Sequence, residues 1–120
     1  MTPLTKDTED NIERFFTEVI ASEVLWGLEG PDGWALCPAE GEDDTDVMPF
    51  WSQREFAEPH CEGDWSEYRP TAIALEEFLD DWLPGLDKDG LLVGVNWDEE
   101  LEGVEIAALD LLEDFAERLD

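Results

Sequence analysis

Basic residues are what this sequence has least of: six Lys and Arg stand against thirty-four Asp and Glu, a formal net charge of −28 over 120 residues. A surface of that sign repels nucleic-acid phosphates and anionic lipid headgroups, which argues against a direct nucleic-acid or membrane role. Histidine is nearly absent as well, with His60 alone, and Cys37 and Cys61 are the only cysteines. These three residues are too dispersed for a zinc site and too few for a disulfide-stapled secreted domain, so both cysteines are expected as reduced thiols. No apolar run approaches the roughly 18 to 20 residues of a membrane span. The opening MTPLTKDTED lacks the basic and apolar regions of a secretory signal. A cytoplasmic protein is the expectation.

What the chain does have is apolar material: 42% of its residues are hydrophobic, with six Trp and six Phe. Chains of high net charge stay disordered when they cannot bury enough apolar surface to offset chain entropy. This one can, and it is expected to fold as one domain over residues 1–120, with residues 1–6 a frayed start. A chain of this size buries on the order of two thirds of its extended surface.

Periodicity orders the chain. Ile12, Phe15, Phe16, Val19 and Ile20 recur at i, i+3, i+4, i+7 and i+8, one face of an amphipathic helix. The runs 24–28 and 34–37 flank Pro31-Asp32-Gly33 and read as a hairpin, because proline presets its own φ and glycine accepts a positive one. Residues 47–51 predict a third strand that Pro49 places at an edge or a bulge. Ser52 and Glu55 have the spacing of a capping box opening a short helix, which Pro59 limits near His60. Gly63 and Asp64 predict a turn, and residues 69–73 a strand. Leu75, Phe78, Leu79 and Trp82 follow at helical spacing, and Pro84-Gly85 is expected to stop that helix at Leu83. Residues 91–96 are continuously apolar and bounded by turns, as in a central strand. Leu109, Leu112, Phe115, Ala116 and Leu119 mark a C-terminal helix. The predicted class is α+β: an antiparallel or mixed sheet of four to five strands with N-terminal and C-terminal helices packed on it.

No constellation carries catalytic chemistry. His60 and Cys61 are adjacent, and neighbouring residues on a helix point about 100° apart. No third group is in view to orient the imidazole, so His60 is expected as a semi-exposed residue near a helix end. Neither residues 42–46 nor 87–90 fit the twelve-residue calcium loop, and Leu91 falls where its third ligand should stand. A phosphate cradle without basic residues would be unfavourable. No catalytic residue, cofactor or metal is expected.

The carboxylates remain, gathered at 40–46, at 76–81, at 98–102 and at 110–117. Asp110, Glu113, Asp114 and Glu117 recur at i, i+3, i+4 and i+7, a negative helix face whose mutual repulsion is tolerated in solvent or used at an interface. The candidate partner-binding residues are Glu42, Asp43, Asp44, Asp46, Glu77, Asp80, Asp81, Asp110, Glu113, Asp114 and Glu117. The tryptophans at 26, 34, 51, 65, 82 and 97 fall at element ends, most of them expected in the core. One exposed among carboxylates would mark a hot spot.

The segments Val24-Leu25-Trp26, Asp32-Gly33-Trp34-Ala35-Leu36, Pro49-Phe50-Trp51, Phe56-Ala57, Trp65, Ile73-Ala74-Leu75-Glu76-Glu77-Phe78, Trp82-Leu83-Pro84-Gly85-Leu86 and Val93-Gly94-Val95 are similar to those of small bacterial proteins catalogued as domain of unknown function 2750. The resemblance covers about residues 12–106 and is most specific at Trp82–Leu86. It implies a stand-alone bacterial α+β domain, often acidic, with no assigned activity and no site residues to carry over. Pro59 and Asn96-Trp97 depart from the pattern. The function expected is a non-catalytic acidic module binding a basic protein surface, as an inhibitor, immunity-type or nucleic-acid-mimicking protein does. The alternative is a salt-adapted or highly soluble housekeeping domain without a charge partner, and an enzyme of unrecognised type comes third.

Overall fold

The structure, a computed structural model, describes residues 8–31, 33–38, 45–61, 66–97 and 104–119. The frayed start, the turn at Gly63-Asp64, Trp65 and the carboxylates at 40–44 and 98–102 lie outside the described residues.

Helix α1 (Thr8–Ser22) turns the predicted face inward: Phe15, Phe16 and Val19 are fully or almost fully buried, with Ile12 and Ile20 packed beside them. The chain leaves α1 at Glu23, at φ 61°, and enters β1 (Val24–Gly30). Strand β2 (Gly33–Trp34) returns antiparallel with Gly30 opposite Gly33, so the predicted hairpin is present. Gly33 has φ +129°, a conformation that side chains rarely adopt. With β5 (Arg69–Ala74) on the other flank, the order β2-β1-β5 makes a three-stranded antiparallel sheet.

A second, mixed sheet has the order β3-β4-β6-β7, from β3 (Cys37–Pro38), β4 (Asp46–Phe50), β6 (Leu92–Val95) and β7 (Val104–Ala107). Only β4 and β6 run parallel. The two sheets meet at one bridge, where Trp26 and Trp51 exchange backbone hydrogen bonds of 2.8 Å in both directions. The predicted mixed four-stranded sheet is therefore present, and β6 is central in it. A second sheet is hinged to it at the tryptophan pair.

Pro49 is not at a sheet edge. Strand β4 lies between β3 and β6, and Phe50 accepts from the Asn96 amide on the β6 side. Backbone groups alternate along a strand, so the nitrogen of Pro49 faces the opposite side. There β3 pairs only with Val47 and Asp46, and the missing donor falls in the gap between that ladder and the Trp26–Trp51 bridge.

Ser52 is not a helix cap either. Helix α2 (Arg54–Ala57) starts after Gln53 with no side-chain capping bond, and runs into a 3-10 turn (Glu58–His60) that carries Pro59 in its first turn. His60 is buried rather than semi-exposed, at 8% exposure, and stacks on Trp51 with ring centroids 4.8 Å apart.

Pro84 does not stop its helix. Helix α3 (Leu75–Glu77) widens into a π turn (Phe78–Trp82), in which the Leu83 amide reaches the Phe78 carbonyl five residues back, and continues as α4 (Leu83–Lys88). The π turn resets the register, so Pro84 occupies the first turn of a new helix, where a missing amide costs little.

Helix α5 (Ala108–Leu119) buries Phe115 of the predicted face and packs Leu112 against the core, but Leu109 and Leu119 are each 48% exposed, and Ala108 and Leu111 are buried in their place. Its Phe115 meets Phe15, Phe16 and Phe78 edge to face at 6.1, 4.8 and 6.4 Å, so α1, α5 and the π turn share one aromatic centre. This main core runs from Phe15 to Phe115. A smaller one around Trp51 and Trp97 lies under α2 and β1. Gly94 belongs to that packing, because a Cβ there would stand 2.4 Å from the Trp97 ring. That ring is held by its indole N–H donating to the Val104 carbonyl at 3.1 Å.

Candidate binding surface

The sequence-predicted carboxylates fall into four groups. Glu42, Asp43 and Asp44 lie outside the described residues. Asp46 is exposed at the start of β4. Glu77, Asp80 and Asp81 are exposed on α3 and the π turn, together with Glu76. Asp110, Glu113, Asp114 and Glu117 are exposed on α5. The Phe78–Phe115 contact places these last two groups on neighbouring helical segments. Within α5 the four carboxylates span eight residues, about 10 Å of helix axis.

Cations do little to offset this surface. Between Leu75 and Lys88 the only one is Lys88, and within α5 the only one is Arg118, each in the last turn, where it suits the helix dipole. Arg118 is already engaged: it forks onto Glu13 of α1 at 3.0 and 3.3 Å and lies 4.1 Å over the Phe16 ring. Arg14 bonds Glu18 at 3.3 Å and Arg54 pairs with Glu58 at 3.4 Å, both on the α1 and α2 side.

Two concavities flank these elements. The larger, about 570 Å³, opens between the end of α1, the start of β1 and α2, lined by Glu18, Trp26, Ser52 and Arg54 among others. Two of its lining residues, Glu18 and Ser52, belong to a polar network that sequence reasoning missed. Asn96, fully buried and at φ 45°, donates through Nδ2 to the Asn11 carbonyl at 3.0 Å and to Ser52 Oγ at 3.1 Å. Its Oδ1 accepts from the Ser52 amide at 2.8 Å, and Ser52 Oγ donates to Glu18 Oε1 at 2.6 Å. The one signal in the sequence was an asparagine as the last residue of the strand predicted over 91–96, since asparagine tolerates the left-handed turn that follows Val95. The Ser52 hydroxyl is used in both directions inside the fold, which suits a structural role and not a nucleophile. The smaller concavity, a groove of about 270 Å³, lies beside the π turn at Trp82.

Among the described residues, no group of three or more His, Cys, Asp or Glu side chains could hold a metal ion. None of the described helices is long and apolar enough to cross a membrane. Burial pushes the Cys61 thiol up from its ordinary pKa, and the Glu58 carboxylate adds to the shift. Cys61 is therefore expected to alkylate more slowly at pH 8 than the same residue in urea-unfolded chain, because only the thiolate attacks. Mass spectrometry of the Cys61 peptide after timed iodoacetamide treatment checks this, and equal rates would contradict it.

The family model described as "Protein of unknown function (DUF2750)" matches residues 12–115. The chain belongs to this family. The DUF2750 match runs from α1 at Ile12 to Phe115 in α5, so both concavities and all the exposed helical carboxylates named above except Glu117 fall within it. No curated protein matches the chain significantly.

Proposed function

We propose that this DUF2750 protein is a non-catalytic acidic module of the cytoplasm that binds a basic surface of another protein, in the manner of an inhibitor, an immunity protein or a nucleic-acid mimic. The observation that carries the reading is the pairing of two neighbouring helical segments whose exposed charges are carboxylates up to a single cation at each C-terminal end. Both segments rest on one aromatic core, so the carboxylates are held without ordering flexible chain on binding. Such an array speeds encounter with a basic partner and weakens as salt screens it beyond a Debye length of about 10 Å at 0.1 M.

One observation favours salt adaptation without a partner: Glu9, Glu23, Glu29, Glu55 and Glu67 are also exposed, on α1, the α1–β1 turn, β1, α2 and the turn before β5. The two readings separate by affinity capture from a lysate at low and at molar salt, alongside unfolding at the same salts. The binder predicts a basic protein retained at low salt and released at high salt. An empty capture, with a fold that melts at low salt and recovers in molar salt, overturns it.

A further inference from the structure

The groove beside the π turn has the chemistry of a receptor for one cationic side chain. Met48, Trp82, Leu86 and Leu91 give it apolar walls, and among the described residues its charged lining is Asp81 and Asp89, with no cation. At about 270 Å³ it falls below the roughly 300–1,000 Å³ of drug-sized ligand pockets. Trp82 is fixed in place, edge-on to Trp34 at 4.7 Å and to Phe50 at 5.9 Å, so no ring has to be ordered on binding.

Charge complementarity selects the occupant. An anion would meet two carboxylates, and a neutral apolar side chain would leave both without a counter-charge. A bare metal ion would find mostly hydrocarbon. Lysine and arginine fit both features, because their aliphatic stems lie along apolar surface while the charged head stays at a polar rim. An indole is also the best aromatic partner for a cation. We propose that this groove is the anchor that receives one lysine or arginine side chain of a basic protein partner, with the stem against Trp82 and Leu86 and the head between Asp81 and Asp89. The proposal rests on the acidic-module reading above and adds to it a specific pocket.

Gly85 supplies a clean test. Nothing lies within 4 Å of where its Cβ would stand, so a larger side chain can enter the groove without a backbone clash. The probe is pentalysine, added to the full-length protein at low salt, with the Trp82 indole N–H followed by NMR and pentaserine as the uncharged blank. Pentalysine is expected to move the Trp82 signal saturably and pentaserine to leave it in place. Gly85→Phe, and separately Asp81→Asn with Asp89→Asn, are expected to weaken binding roughly fivefold or more, with Gly85→Ala closer to wild type. The charge variant keeps the question open to disproof if Gly85→Phe folds poorly. Pentalysine binding that leaves Trp82 unmoved and is indifferent to Gly85→Phe overturns the anchor and leaves the acidic module standing. No pentalysine binding by the wild type overturns both.

Discussion

Replacing Asn96 with aspartate is expected to cost about 3–5 kcal/mol of stability at pH 7, from the loss of two buried donors and the burial of an unpaired charge. The isosteric change keeps only the acceptor for the Ser52 amide. The Asn11 carbonyl loses its donor, and the new carboxylate joins a network that already contains Glu18. Because Asn96 is fully buried, desolvation will raise the new carboxyl above the ordinary aspartate value of about 3.9. A raised acid binds its proton more tightly in the folded chain than in the unfolded one. Its cost is therefore smallest below about pH 4 and grows as pH rises through the unfolded value towards the folded one. Urea unfolding of the variant and the wild type at pH 4 and pH 7 checks this, read as the difference between the two proteins so that general charge repulsion cancels. A difference that is small and flat with pH would contradict it.

Phe115→Ala is expected to cost a similar amount, about 3–5 kcal/mol, against a total stability of about 5–15 kcal/mol for a domain of this kind. The ring touches three others from α1 and the π turn, and none of them can close the space without moving a helix. The consequence reaches the surface, because Phe115 fixes the α5 carboxylates relative to Glu77, Asp80 and Asp81. Hydrogen exchange should accelerate across α5 and the π turn together. Leu119→Ala on the same helix, at a half-exposed position, is the control and should change stability by no more than about 0.5 kcal/mol. Comparable losses at the two positions would contradict the assigned packing.

The contrast between these residues shows what the sequence could and could not reveal. Helix α1, the Pro31-Gly33 hairpin and strand β6 were legible because their signals are local. Ser52 was misread because the partners of its hydroxyl and amide, Glu18 and Asn96, lie 34 and 44 residues away and take the place of the nearby helix end. Pro84 was misread as a stop because the wide turn that accommodates it follows from packing of Phe78 and Trp82 against Phe50, not from any local propensity. Strand β7 has only four residues and no fully buried side chain, so it carried no readable period. On α5 Phe115 and Leu112 were placed on the core side as predicted, but Leu109 and Leu119 drew the predicted face away from Ala108 and Leu111, which the core also takes up. The acidic helix faces were legible in full. Their neighbourhood was not, since it depends on the aromatic contact between Phe78 and Phe115.

The central claim concerns the arrangement of the carboxylates and not their total, so its most direct measurement compares two variants of equal net charge. One carries Glu77→Gln, Asp80→Asn, Glu113→Gln, Asp114→Asn and Glu117→Gln on the helical face. The other carries Glu9→Gln, Glu23→Gln, Glu29→Gln, Glu55→Gln and Glu67→Gln away from it. Affinity for the basic protein retained by the wild type at low salt, measured by titration calorimetry, is expected to fall at least tenfold for the first variant and less than about threefold for the second. Equal losses in the two would mean that total charge governs binding and that the α3 to α5 face has no special part in it.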